Sequence, residues 1–103
     1  ANYYKAYQFF LKGEYEKSNE VIANISNKYG NSGIWSAKSI LLMAKNFIEL
    51  DDSFQSSYIL ENLIENFKEF PNIKSIAEDL LIEVNRKISE KNSSFEIKKN
   101  INE

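Results

Sequence analysis

The chain has 103 residues, 13 basic and 15 acidic side chains, a formal charge of −2 and 43% hydrophobic residues. That size and apolar content suit one folded domain and exclude both a disordered chain and a second independent core. Histidine and cysteine are absent, which removes Ser-His and Cys-His nucleophile pairs, zinc sites built on the usual ligands, His-ligated haem and any disulfide framework.

Punctuation in the chain comes from Gly13, Gly30, Gly33 and Pro71, each where a helix should turn. A first helix is predicted over Asn2 to Lys12, closed by Gly13, and a second over Glu14 to Tyr29, ended by Gly30. Asn31-Ser32-Gly33 reads as a loop in which Ser32 caps a third helix reaching Leu50. Asp51-Asp52 make the next turn, with Asp52 capping a fourth helix from Ser53 to Phe70. Pro71 suits the first turn of a fifth helix ending near Glu90, where its missing N–H would be unpaired in any case. The polar stretch 92–103 is expected to be a tail, with Asn92-Ser93-Ser94 as breaker and Phe95, Ile97 and Ile101 packing weakly on the last helix. The helical domain is therefore drawn as 1–91. The chain starts at Ala1 without Met or a signal-type segment, as a processed or excised piece of a longer protein would.

Strands are not expected. Apolar residues recur at three and four, as in Ile22-Ile25-Tyr29, Leu60-Leu63-Ile64-Phe67 and Ile73-Ile76-Ala77-Leu80-Leu81-Val84, the spacing of one helix face. The run Ile40-Leu41-Leu42-Met43-Ala44 wraps most of its helix, so the third helix belongs in the middle of the stack. Five apolar residues are too few to span a bilayer, which takes about 20 in a helix. The slight acid excess argues against nucleic acid or an anionic membrane as the main target.

The two halves match at an offset of 38. Ala6 falls on Ala44, Phe9 on Phe47, Ser18 on Ser56, Ile22 on Leu60, Ile25 on Leu63 and Tyr29 on Phe67. Ile73, Ile76, Ala77 and Leu80 echo Ile40, Met43, Ala44 and Phe47 at an offset of 33, making the fifth helix half of a third unit. Self-similarity at such a period marks stacked helix-turn-helix units.

These residues resemble the tetratricopeptide repeat family. Gly13-Glu14-Tyr15-Glu16-Lys17-Ser18 is similar to its Gly-Asp-Tyr-x-x-Ala turn, while Ala6 and Ala44 match its small residue and Phe9 and Phe47 its aromatic. Trp-x-x-Leu is poorly kept (Asn2 and Lys5, then Ile40 and Met43), Asp51 replaces glycine at the second turn, and an extra residue is expected before Phe54. The resemblance implies an all-α, right-handed solenoid of two antiparallel hairpins with a C-terminal capping helix, an ordinary helical bundle being the other outcome. Ser32–Ser39 followed by Asp51–Gln55 is also similar to repeat segments of large bacterial envelope proteins. That second resemblance is the sole pointer to a bacterial envelope or periplasmic location.

Without His and Cys, an enzyme would rely on carboxylate pairs such as Asp51 with Asp52, Glu61 with Glu65, or Asp79 with Glu83. Helix capping and a solvated acidic face account better for them, so no catalysis, metal or cofactor is expected. The family resemblance places the first helix of each unit on a concave surface that receives a peptide or helix. The matching residues are Tyr4, Tyr7 and Leu11, then Lys38, Leu41 and Lys45, then Lys74 and Glu78. Large aromatics give contact area at small entropic cost and Lys can meet a carboxylate. An upstream repeat covering the same tyrosines, or their packing on the third and fifth helices, would serve equally. Trp35 is expected to staple the junction with Tyr29. Residues 1–50 hold six lysines against four acids and residues 51–91 five bases against nine acids, a polarity suited to a charged partner or to head-to-tail self-assembly. The expected function is a non-enzymatic interaction module, with a spacer or self-assembling segment as the alternative.

Overall fold

The computed structural model describes residues 2–29 and 32–102, with the backbone alone at 27–29 and 102. Among these residues the chain forms five helices and no strand: α1 (Asn2–Leu11), α2 (Tyr15–Tyr29), α3 (Ile34–Glu49), α4 (Ser53–Asn66) and α5 (Pro71–Asn102). Each helix packs on its chain neighbour, and α3 also touches α1 and α5. The described parts of α1 and α5, α1 and α4, α2 and α4, and α2 and α5 do not meet. The central place of α3 follows from its sequence. Ala37, Ser39, Leu41, Leu42, Ala44 and Asn46 are buried around its circumference, and a helix apolar on several sides needs cover on several sides.

The two turns between paired helices are the same object built twice. After α1, the Gly13 N–H donates to the Phe10 carbonyl at 3.0 Å and the Glu14 N–H to the Phe9 carbonyl at 2.9 Å. After α3, the Asp51 N–H donates to Ile48 at 3.0 Å and the Asp52 N–H to Phe47 at 2.9 Å. This is the Schellman arrangement, which needs a left-handed residue at its apex. Gly13 takes φ 78° without strain, whereas Asp51 takes φ 58° and is the sole non-glycine with positive φ among the described residues. The registers coincide at 38 throughout, since α2 starts at Tyr15 and α4 at Ser53. No extra residue precedes Phe54, contrary to the sequence expectation, because Ser53 and not Phe54 stands opposite Tyr15.

Equal turns hold equal packing. Ala6 and Ala44 are fully buried, as are Ser18 and Ser56, and Ile22 and Leu60 are buried in the matching helix. Small residues at a crossing let two helices approach closely. Burial carries the same offset into α5: Ala77, half-buried Leu80 and Val84 line up with Ser39, Leu42 and Asn46. The offset of 33 keeps Ala77 on Ala44, both fully buried, Ile73 on Ile40 and Leu80 on Phe47, but sets Ile76, 44% exposed, on Met43, which packs against the Ala6–Ile22–Leu42 cluster; the offset of 38 departs elsewhere. Ile82 then stands where Ala6 and Ala44 make their crossings, and it is 70% exposed. Among the described residues no helix follows α5 to make that crossing.

Three boundaries differ from expectation. Gly33, at φ 90° with no side-chain cap, precedes α3 in place of Ser32. α4 ends at Asn66 with Phe67 as C-cap, because in a continuous helix Pro71 has no N–H for the Phe67 carbonyl and its ring would clash with that carbonyl. The Phe67 and Phe70 rings stack at 6.4 Å and fill that corner. α5 runs through Asn92-Ser93-Ser94 to Asn102, so residues 92–102 are helix and not a separate tail. Three Ser and Asn residues cost only about 0.5 kcal/mol each in helix propensity, and no Gly or Pro interrupts them. Every described residue from Ser89 to Ile101 is exposed. Lys91, whose Nζ lies 3.3 Å from Asp51 Oδ2, is the last residue tied to the body.

Two clusters make the core. The larger joins Ala37, Leu41 and Ala44 of α3 to Leu60 and Leu63 of α4 and to Ile73, Ala77 and Val84 of α5, with Phe67 between. The smaller holds Ala6, Ile22 and Leu42, flanked by Tyr3, Phe10, Val21 and Met43. Beside the smaller one runs a buried polar chain. Ser18 Oγ donates to the Ala6 carbonyl at 2.8 Å, and Asn46 Nδ2 donates to Ser18 Oγ at 2.8 Å and to Asn19 Oδ1 at 2.9 Å. Asn46 Oδ1 accepts no hydrogen bond among the described residues. No helix among the described residues is long and apolar enough to cross a membrane.

Candidate functional site

The residues with the most unspent contact area lie where α1 meets the start of α3. Tyr3 anchors them: half-buried, it stacks on Tyr7 at 6.2 Å and touches Tyr4 edge-on at 5.5 Å. Trp35, in the first turn of α3, leans on both Tyr3 at 5.8 Å and Tyr4 at 6.0 Å. Tyr7 continues the stack to Phe10 at 6.0 Å, and Phe10 meets Tyr15 of α2 edge-on at 5.7 Å. Six rings thus form one unbroken strip across three helices. Offset and edge-on pairs of this kind add about 0.5–1.5 kcal/mol each to simple burial.

A cation closes one end of the strip. Lys38 lies one turn after Trp35 and holds its Nζ 4.6 Å from the Trp35 ring centroid, within reach of the ring's negative face. Tyr4 and Trp35 remain 55% and 52% exposed. Burial pushes the Tyr3 phenol above the usual tyrosine range, with Tyr7 and Tyr4 adding to the effect.

The residues expected at the surface separate into groups. Tyr4, Tyr7 and Lys38 are brought together through Tyr3 and Trp35. Leu11 is exposed on the far turn of α1, away from these ring contacts. Leu41 is a correction: at 7% exposure it belongs to the larger core with Leu60 and Leu63, because its side of α3 faces α4. Lys45 and Lys74 are half-buried and Glu78 is exposed. None of these three makes an ion pair among the described residues. Trp35 makes ring contacts to Tyr3 and Tyr4 of α1; its expected contact with Tyr29 falls on a side chain outside the described residues. Tyr3 and Trp35 were missed as members of the strip. The i, i+3 spacing of Trp35 and Lys38 was the legible clue.

The carboxylates are engaged elsewhere. Asp52 Oδ1 accepts from the Gln55 N–H at 3.0 Å and caps α4, as expected. Asp51 pairs with Lys91. Arg86 bridges Glu83 and Glu90 on the exposed side of α5. Its hydrogen bond holds the Glu83 carboxyl below the usual range, the opposite of what a proton donor needs. No group of three or more metal-ligating side chains converges among the described residues. A surface groove of about 460 Å³ lies between α3 and α4, lined by Ile40, Met43, Tyr58, Asn62 and Phe67; it holds no carboxylate.

No family model matches the chain, and no curated protein or solved structure matches it either.

Proposed function

We propose that this chain is a non-enzymatic protein-interaction module, a short right-handed solenoid of two tetratricopeptide-like hairpins capped by α5. In this reading α1, α3 and α5 line the inner face, where a partner peptide or helix is held. The observation that carries it is the convergence of Tyr4 and Lys38 on Trp35. Two successive inner helices contribute to one exposed aromatic and cationic patch, and such patches supply binding hot spots. Lys45 and Lys74, without ion pairs among the described residues, favour an acidic partner.

Trp35 is the only tryptophan, so its emission reports on the patch directly. An acidic peptide selected by display against the protein is expected to shift that emission saturably. Combined Tyr4→Ala, Tyr7→Ala and Lys38→Ala should preserve the far-UV helical signal and lose the peptide. Capture undiminished in the triple variant, or a selection that enriches nothing, counts against the inner face.

A structural or self-assembling role is the second reading, favoured by the apolar side chains Phe95, Ile97 and Ile101 that α5 exposes and by the charge difference between the halves. A dilution-sensitive dimer in sedimentation, lost in Tyr4→Lys, would support it.

A further inference from the structure

α4 turns an uncovered ridge to solvent. Phe54 and Tyr58 are 79% and 64% exposed, and exposed Glu61 and Glu65 follow at the spacing that keeps all four on one side of the helix. Residues 53–66 hold these two acids and no base. Tyr58 also borders the groove lined by Ile40 and Met43. Large apolar side chains exposed together beside charge mark an interaction surface.

The complementary chemistry lies on the free end of α5. Phe95 is 69% exposed, with Lys91 one turn before it and Lys98 one turn after, and residues 91–102 hold three lysines against one acid. Lys91, Phe95 and Lys98 repeat the spacing of Phe54, Tyr58 and Glu61 residue for residue. Laid parallel, Phe95 meets Tyr58 and the groove beside it, Lys98 meets Glu61, and Lys91 comes over the Phe54 ring. Within one chain the two stripes are kept apart. Lys91 lies 3.3 Å from Asp51 at the turn where α4 begins, so α5 runs antiparallel to its own α4 and its end points away from it.

We infer that two copies of this chain exchange these ends across a two-fold axis, the free end of each α5 lying parallel on the α4 ridge of the other. The helix directions let the exchange be mutual. When one copy's α5 end lies parallel to the second copy's α4, the second copy's own α5 points back along the first copy's α4. One self-complementary patch then serves both copies, as a closed two-fold contact needs. Exposed ion pairs are worth little, so Phe95 on Tyr58 supplies the affinity and the charges set the register. Ile97, two residues from Phe95, faces the other side of the rod and takes no part. The inference rests on the self-assembling reading above and moves its interface from α1 to α4 and α5.

Sedimentation equilibrium of the full chain is the test, with a monomer–dimer equilibrium of Kd below about 100 µM expected. Phe95→Glu should weaken the dimer at least about tenfold. Lys98→Glu and Glu61→Lys should each weaken it about threefold or more, and the two together should restore it. All three side chains are exposed, and an unchanged far-UV helical signal shows that each variant keeps its fold. A monomer at every concentration up to about 500 µM overturns this docking and the self-assembling reading together. A dimer lost in Tyr4→Lys but kept in Phe95→Glu overturns the docking alone, as do charge reversals whose combination stays weak. Growth beyond the dimer overturns the two-fold exchange.

Discussion

The helix pairs α1–α2 and α3–α4 share the geometry of their turns and are glued differently. The second, with α5, closes over an apolar cluster that includes Leu60 and Leu63 at zero exposure; Ser56, at its crossing, merely bonds back to the Ser53 carbonyl within its own helix at 3.2 Å. The first closes over three buried apolar residues and a chain of directional bonds running from the Ala6 carbonyl through Ser18 to Asn46. Ser18 and Ser56 are equivalent in sequence and burial, and only one reaches across a helix boundary. Asn46 is the reason. Its equivalent Gln8 is exposed, and its equivalent in α5 is Val84. One buried amide in three structural copies turns a packing seam into a hydrogen-bonded one, at the cost of an acceptor left unanswered among the described residues.

The contrast breaks first in the apolar half. Leu60→Ala empties a fully enclosed site and is expected to cost about 2–5 kcal/mol, read as a lowered urea midpoint. In the polar half the order of two substitutions matters more than either size. Asn46→Ala strips partners from Ser18 and Asn19 and opens a small void, at about 1–3 kcal/mol. Asn46→Leu fills the space and removes the unanswered acceptor, so it should cost clearly less. If Asn46→Leu proves the worse of the two, the polar chain contributes more than its satisfied bonds explain.

The twin turns give a smaller and signed test. Gly13→Ala places a side chain at φ 78° with no heavy atom within 4 Å of the added carbon, so its cost of about 1 kcal/mol is purely conformational. Asp51→Gly relaxes the equivalent turn and is expected to gain a few tenths to about 1 kcal/mol, since the exposed Lys91 pair it removes is worth little. Matching signs in thermal melts would mean the two turns are not one object.

The smallest effect is alkaline. The Tyr3 phenol sits above its unfolded value, so its contribution to stability is fully present below about pH 10 and fades as pH rises through the folded value. Tyr3→Phe should flatten the fall of melting temperature above pH 10 relative to the wild type. An identical fall in both would place the burial elsewhere.

Much of this frame was readable in the residues. Gly13, Asp52 and Pro71 act through local backbone chemistry and stand where expected, and in the two turns the 38-residue echo extends to individual backbone hydrogen bonds. What escaped depended on which side of a helix found a neighbour. Leu41 was placed on an open surface because the resemblance supplied its position, whereas α4 supplies its burial. Asn46 lies one turn after Leu42 on a stripe that also contains Ser39, so its burial was foreseeable from periodicity, but its polarity hid it. The end of α5 was misjudged because weak helix formers were counted as breakers. Of the candidate site, Tyr4, Tyr7 and Lys38 were legible as surplus side chains; that Trp35 would gather them depended on the approach of α1 to α3.

The last three turns of α5 give the molecule an indexed axle. Beyond Lys91 every described residue is exposed, and the phase of the rod is fixed by the buried turns that precede it. Each residue inserted or deleted there swings any cargo fused beyond it by about 100° and moves it by about 1.5 Å. An engineer could therefore aim an attached domain around this axis by counting residues, without disturbing a single contact of the body.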